Sequence, residues 1–139
     1  MSITSHVFHA ISVTASGSVT QRRLVTFAGA QATTKGEKVL GVSEFDTANL
    51  TQATVNIGGI VLVTTGAAVS KGDSLITDTQ GRAIPATGNL GVGAGATPVT
   101  STAANGALLI GADLPEFVFG DAMESASGAG STIQVLLRR

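Results

Sequence analysis

Two histidines and a scatter of aspartates are the residues with which this chain could do chemistry. His6 and His9 stand three apart, a spacing that on a helix puts both imidazoles on one face, as metal-binding pairs require. There is no cysteine to join them, and the nearest acids after them, Glu37 and Glu44, are distant in sequence. A packing or solvated role fits the pair better. Asp73 and Asp78 are placed to work as acid and base or to hold a hard cation. Both stand in turn sequences, Lys71-Gly72-Asp73 and Asp78-Thr79-Gln80-Gly81, where Asp hydrogen-bonds its own backbone, so both read as turn caps. Gly91-Val92-Gly93-Ala94-Gly95-Ala96 is glycine-rich enough to suggest a phosphate cradle. It lacks the following Lys-Ser/Thr, follows no clear strand and opens no helix, so it reads as a flexible loop. Serines are plentiful, but neither histidine has a strand-end setting with a third orienting group, and a nucleophilic triad is unsupported. The expectation is no catalytic residue, no cofactor and no metal: not an enzyme.

Composition points the same way. At 139 residues with a net charge of −1, the chain is sized for one domain, and no strong electrostatic attraction to nucleic acid or an anionic membrane is expected. Without cysteine, neither a disulfide framework nor a thiolate site can form. Met1 to His9 lacks a basic region and a continuous apolar run, so it does not read as a signal peptide, and no apolar run approaches a membrane helix. Charged residues are 12% and aromatics 4%, with no Trp or Tyr, while there are 18 glycines. Disordered chains are poor in apolar residues and rich in charge; this one is the reverse. It is expected to fold around small aliphatic side chains and to present a weakly charged exterior suited to packing against other proteins.

The elements that would carry such a surface are strands. Ile11 to Ala15 alternates apolar and polar before the turn Ser16-Gly17-Ser18. Leu24 to Ala28 follows, with Leu24 and Phe27 on different faces, which predicts a strand buried on both sides or bulged. Val39 to Phe45 comes after a solvated turn at Lys35-Gly36-Glu37-Lys38, and Asp46 to Gln52 is a polar connection. Thr54 to Thr65 is the strongest strand, its Gly58-Gly59 pair marking a tight turn or a bulge. Lys71-Gly72-Asp73 and Asp78 to Gly81 flank a short strand around Leu75 and Thr77. Residues 88–119 form a long glycine-rich excursion, with short strands at Leu108-Leu109-Ile110 and Glu116 to Phe119. A turn at Ser127 to Gly130 leads to a closing strand, Thr132 to Leu137, with Ile133, Val135 and Leu137 on one face. Glycine and β-branched residues interrupt every window, so no helix is expected. The fold class is all-β: a single domain over 1–139, a small barrel or sandwich of short strands.

The order of these elements resembles the small capsid decoration (cement) proteins of tailed bacteriophages, once known only as a domain of unknown function. Four stretches carry the resemblance: Val13 to Val19 with Arg23 to Phe27; Val39 to Phe45; Gly66 to Asp73 with Asp78, Gly81, Arg82 and Ala83; and Gly120 to Met123 with Gly128 to Leu137. The resemblance implies a β-domain on the outside of an assembled, expanded capsid, made in the host cytoplasm. Its partner would be the major capsid protein, whose subunits it bridges. It would act as a homo-oligomer, a trimer being favoured because the lattice offers threefold sites and a ring hides sheet edges. Residues 1–10, with Ile3, His6, Val7 and Phe8, then read as an arm that orders on the shell, with Arg22 and Arg23 facing its acidic patches. The excursion at 88–119 is longer than in shorter members. A competing reading is a carbohydrate- or surface-binding β-module of a virion or cell surface, disfavoured because such sites display Trp and Tyr.

Overall fold

A computed structural model describes residues 4–87, 100–101, 109–110 and 116–138. Ten strands occur among them: β1 (His6–Thr14), β2 (Leu24–Val25), β3 (Gly41–Ser43), β4 (Gln52–Thr64), β5 (Ser74–Thr77), β6 (Ala83–Pro85), β7 (Thr100–Ser101), β8 (Leu109–Ile110), β9 (Gly120–Ala122) and β10 (Thr132–Leu137). No helix occurs among the described residues. β7 and β8 pair only with each other; the rest form one antiparallel sheet in the order β2-β3-β4-β10-β9-β5-β6, with β1 added on β4. The two ends of that order meet. The Leu24 N–H of β2 donates to Gly81 O in the β5–β6 turn at 2.8 Å, and Thr65, just past β4, bridges Ala83 of β6. The sheet is a small barrel.

β4 is the spine. Its odd residues face inward: Ala53 and Val55 enter one core, with Ala15, Val19 and Val25. Val61 and Val63 enter the other, with Leu24, Leu75, Phe119, Ile133 and Val135. Gly58-Gly59 lies between the two and resolves the choice left by the sequence as a bulge, not a turn, because β4 continues through it. The register with β1 slips twice there: Phe8 of β1 is left over between the Val7–Gly59 and His9–Gly58 pairs, and Ile57 of β4 between the His9–Gly58 and Ala10–Asn56 pairs. Such a bulge lets a long strand re-aim its side chains from one core to the next. Buried residues are mostly Val and Ala, with Leu24, Leu75, Ile76 and Ile133 the largest fully buried side chains. That is the small-aliphatic core the composition predicts.

Several boundaries differ from the sequence reading. β1 begins at His6, not Ile11, because β4 supplies a long edge for it to pair with. β2 stops at Val25 because Thr26 N–H turns back to Ala30 O. Residues 116–119 are not a strand: Phe117 N–H bonds Gly36 O while Phe119 N–H bonds Leu75 O, so no single partner builds a ladder. β9 stands instead at Gly120–Ala122. The closing strand, β10, occupies the expected residues with Ile133, Val135 and Leu137 buried.

Residues 88–99, 102–108 and 111–115 lie outside the described residues, as does most of the predicted excursion and the Gly91 to Ala96 loop. Its two ends are pinned together: Thr87 N–H and Oγ bond the Glu116 carboxylate at 2.9 and 2.6 Å. A loop whose ends meet adds only a slowly growing closure entropy. Replacing residues 88–115 by a short Gly/Ser linker is therefore expected to move the melting temperature by no more than about 5 °C. Loss of a cooperative thermal transition would show that the segment completes the core.

Candidate functional site

The groups that could do chemistry are held apart or already engaged. His6 and His9 lie on β1, a strand, on either side of the bulge at Phe8. Among the described residues no three His, Asp or Glu are grouped to hold a metal ion. Asp73 accepts the Ser70 N–H at 2.8 Å, closing the turn through Lys71-Gly72. Asp78 accepts the N–H groups of Gln80 and Arg82, both at 2.8 Å, and pairs with Arg82 Nε at 2.7 Å. Both aspartates cap turns, as their positions predict. Among the described residues, one hollow of about 220 Å³ lies beside Lys38, Phe117 and Arg138, and one of about 300 Å³ beside Glu124, Ser131 and Ile133. No helix of the described residues is long and apolar enough to cross a membrane.

Arg22 and Arg23, expected to face a partner, are engaged within the chain. Arg22 is half-buried with a positive φ of 61°. Its N–H donates to Ser43 O and its carbonyl accepts from Thr64, while Nη1 bonds Thr132 Oγ at 3.2 Å. Arg23, also half-buried, donates to Gln80 O at 3.0 Å. Arg23 thus stitches the barrel's closing seam, while Arg22 ties the start of β2 to β3, β4 and β10. Arg138 clamps Asp121 at 2.6 and 2.7 Å; that hydrogen bond, and then the carboxylate's charge, hold its pKa above the ordinary value. Arg139 and Ile3 lie outside the described residues. Of the other residues read as shell contacts, His6, Val7 and Phe8 sit together at the start of β1, well away in sequence from Arg22 and Arg23.

What the structure adds is an outward set of large apolar side chains. The chain has five phenylalanines, and four are exposed: Phe8 at 77%, Phe45 at 59%, Phe27 at 57% and Phe117 at 46%, with only Phe119 buried. Leu50 is exposed at 76%. A barrel that builds its interior from valine and alanine has turned its aromatics to the outside. Charge is scarce around Phe8: residues 4–20 contain no Lys, Arg, Asp or Glu. The Asp46 carboxylate is taken by the Gln21 N–H at 2.7 Å. Exposed apolar residues rimmed by uncharged polar ones mark protein interaction surfaces, and Phe is enriched in interface centres while Lys, Glu and Asp are depleted. Sequence reading missed Phe27, Phe45 and Leu50. The one available signal was large apolar residues beside turn sequences.

Comparison with known proteins follows the same line. The model of a family described as phage cement protein matches residues 6–137. The fold is similar to a solved structure, the head fibre gp8.5 N base in bacteriophage phi29, with a TM-score of 0.62 and 20% identity, covering 94% of this chain and 95% of that one. At that identity the likeness is one of fold. No curated protein matches.

Proposed function

The chain belongs to the phage cement protein family, and we propose that it decorates the outside of the assembled, expanded capsid. In this reading it stabilises the shell by bridging neighbouring subunits of the major capsid protein. The observation that carries it is the placement of four of five phenylalanines on the surface of a small closed barrel. A protein working alone in water gains nothing from that arrangement; one that spends its life against a shell does. Asp73 and Asp78 are engaged in turns, which suits a fold that works as a rigid shape.

Bridging supplies the stabilisation. A domain that touches two shell subunits makes its second contact at high effective concentration, so modest contacts add to tight attachment. If the footprint exists only on the expanded lattice, binding favours that state by mass action, by about 2.7 kcal/mol per site at a free concentration a hundredfold above Kd. A homo-oligomer, a trimer where the lattice has threefold sites, multiplies the contacts again. The test uses capsids purified without the protein. Added protein is expected to bind expanded capsids and not free shell subunits, and to raise the temperature at which particles rupture. Equal rupture temperatures with and without bound protein would sink the reading.

A further inference from the structure

Resting on that reading, we infer that the loop end carrying Leu50 and Phe45 is the face that enters the shell, anchored by Leu50 in an uncharged apolar recess. Three loops meet at this end, around the smaller core of Ala15, Val19, Val25, Ala53 and Val55. The Ser16 N–H donates to Gly29 O, tying in the loop that bears Phe27. Leu50 N–H donates to Ala15 O, and Ala15 N–H to Thr51 O. Gly17 N–H donates to Asn49 Oδ1 at 2.8 Å, and Thr47 exchanges two backbone bonds with Val19. The end is braced, so its side chains are held in place.

Leu50 is out of place there twice over. It is 76% exposed, and it adopts a φ of +64°, a left-handed conformation that Gly or Asn takes readily and a bulky apolar residue rarely does. The two bonds to Ala15 fix that conformation whatever side chain stands at 50. At a side chain this exposed, leucine gains little burial to offset the strain of its positive φ, and strain held at a braced position points to use. The kind of partner follows from charge. Residues 15–20 and 26–31 carry no charged side chain, and in 45–51 only Asp46 does, its carboxylate held by the Gln21 N–H. The Phe27 ring carries the Lys38 ammonium 5.7 Å from its centroid, which leaves Leu50 and Phe45 as the apolar points of the end. With a single charged side chain among these loops, such a surface is matched by an uncharged apolar recess, and its binding should respond only weakly to salt.

The decisive variant is Leu50→Asn, measured on the full chain with expanded capsids. The free protein is expected to melt no lower than wild type, and a few degrees higher as the strain is relieved, while capsid affinity falls at least tenfold. Leu136→Asn, an exposed leucine on β10 far from this end, is expected to bind as wild type. Wild-type affinity should change less than threefold between about 50 mM and about 500 mM salt. Leu50→Asn binding within twofold of wild type overturns the inference, as does a steep loss of affinity with salt. A change in the free protein's sedimentation on Leu50→Asn also overturns it, by assigning the end to contacts between copies. Failure of wild type to bind expanded capsids would instead bring down the decoration reading on which this one rests.

Discussion

Asp78→Ala is expected to lower the folding free energy by about 3 kcal/mol, a fall of roughly 10 °C in melting temperature for a chain this size. The carboxylate is 8% exposed as a residue and serves three donors at once: the N–H groups of Gln80 and Arg82 and the Arg82 guanidinium. Removing it leaves two backbone donors and a half-buried cation without their acceptor, and each such orphan costs about 1–3 kcal/mol. The loss is not confined to one turn. Gly81 O in this turn accepts from Leu24 N–H, and Gln80 O accepts from both Arg23 and Gln31, so the turn shaped by Asp78 is where the barrel closes on β2. Asp78→Asn keeps the shape and one acceptor but sets an amide against Arg82 Nε, and is expected to cost about half as much. Urea unfolding followed by circular dichroism reads both. A midpoint for Asp78→Ala within error of wild type would mean the closure does not depend on this carboxylate.

Asp78 also shows which parts of the molecule were legible in the sequence. Its role is local: an aspartate three residues before a glycine caps its own turn, and no distant residue is needed to infer it. The same holds for Asp73, and for β10, whose alternation of Ile133, Val135 and Leu137 is complete within six residues. Facts that depend on a remote partner were not legible. Phe27 alternates with its neighbours as a strand residue would, yet it is exposed because Thr26 pairs back to Ala30 and ends β2. Arg22 and Arg23 read as a pair facing a partner's acidic patches; they are half-buried because the neighbouring strands bring Ser43 and Thr132 to Arg22, and the β5–β6 turn brings Gln80 to Arg23. The strain at Leu50 is set by Ala15, far back in the chain. Family resemblance supplied the class of function, but which face is apolar follows only from the closed fold.

The Gly58-Gly59 pair offers a test, within two adjacent residues, of what holds β1 to the barrel. Gly59→Ala is expected to release β1 and to cost about 2–4 kcal/mol, whereas Gly58→Ala stays within about 1 kcal/mol of wild type. Gly59 has a φ of +99°, beyond what alanine adopts without strain. A methyl there would also overlap His6 O and stand 2.9 Å from the Phe8 N. Neither atom can yield without breaking the β1 ladder, since both are backbone of the paired strand. At Gly58 a methyl would meet nothing nearer than His9 at 3.8 Å, and the backbone there has no positive φ. The barrel should survive the release, because β1 lends the larger core only Val7 and the smaller one only Val13. Hydrogen exchange separates the two effects: in Gly59→Ala the amides of residues 7–14 lose protection while those of β10 keep theirs. Capsid binding by the same variant then divides the surface. If the loop end around Leu50 carries the attachment, affinity falls modestly, through the loosened neighbour at Thr14 and Ala15. If His6, Val7 and Phe8 carry it, binding disappears with the strand. Full protection of β1 in Gly59→Ala would show that the bulge is not what holds the strand to the barrel.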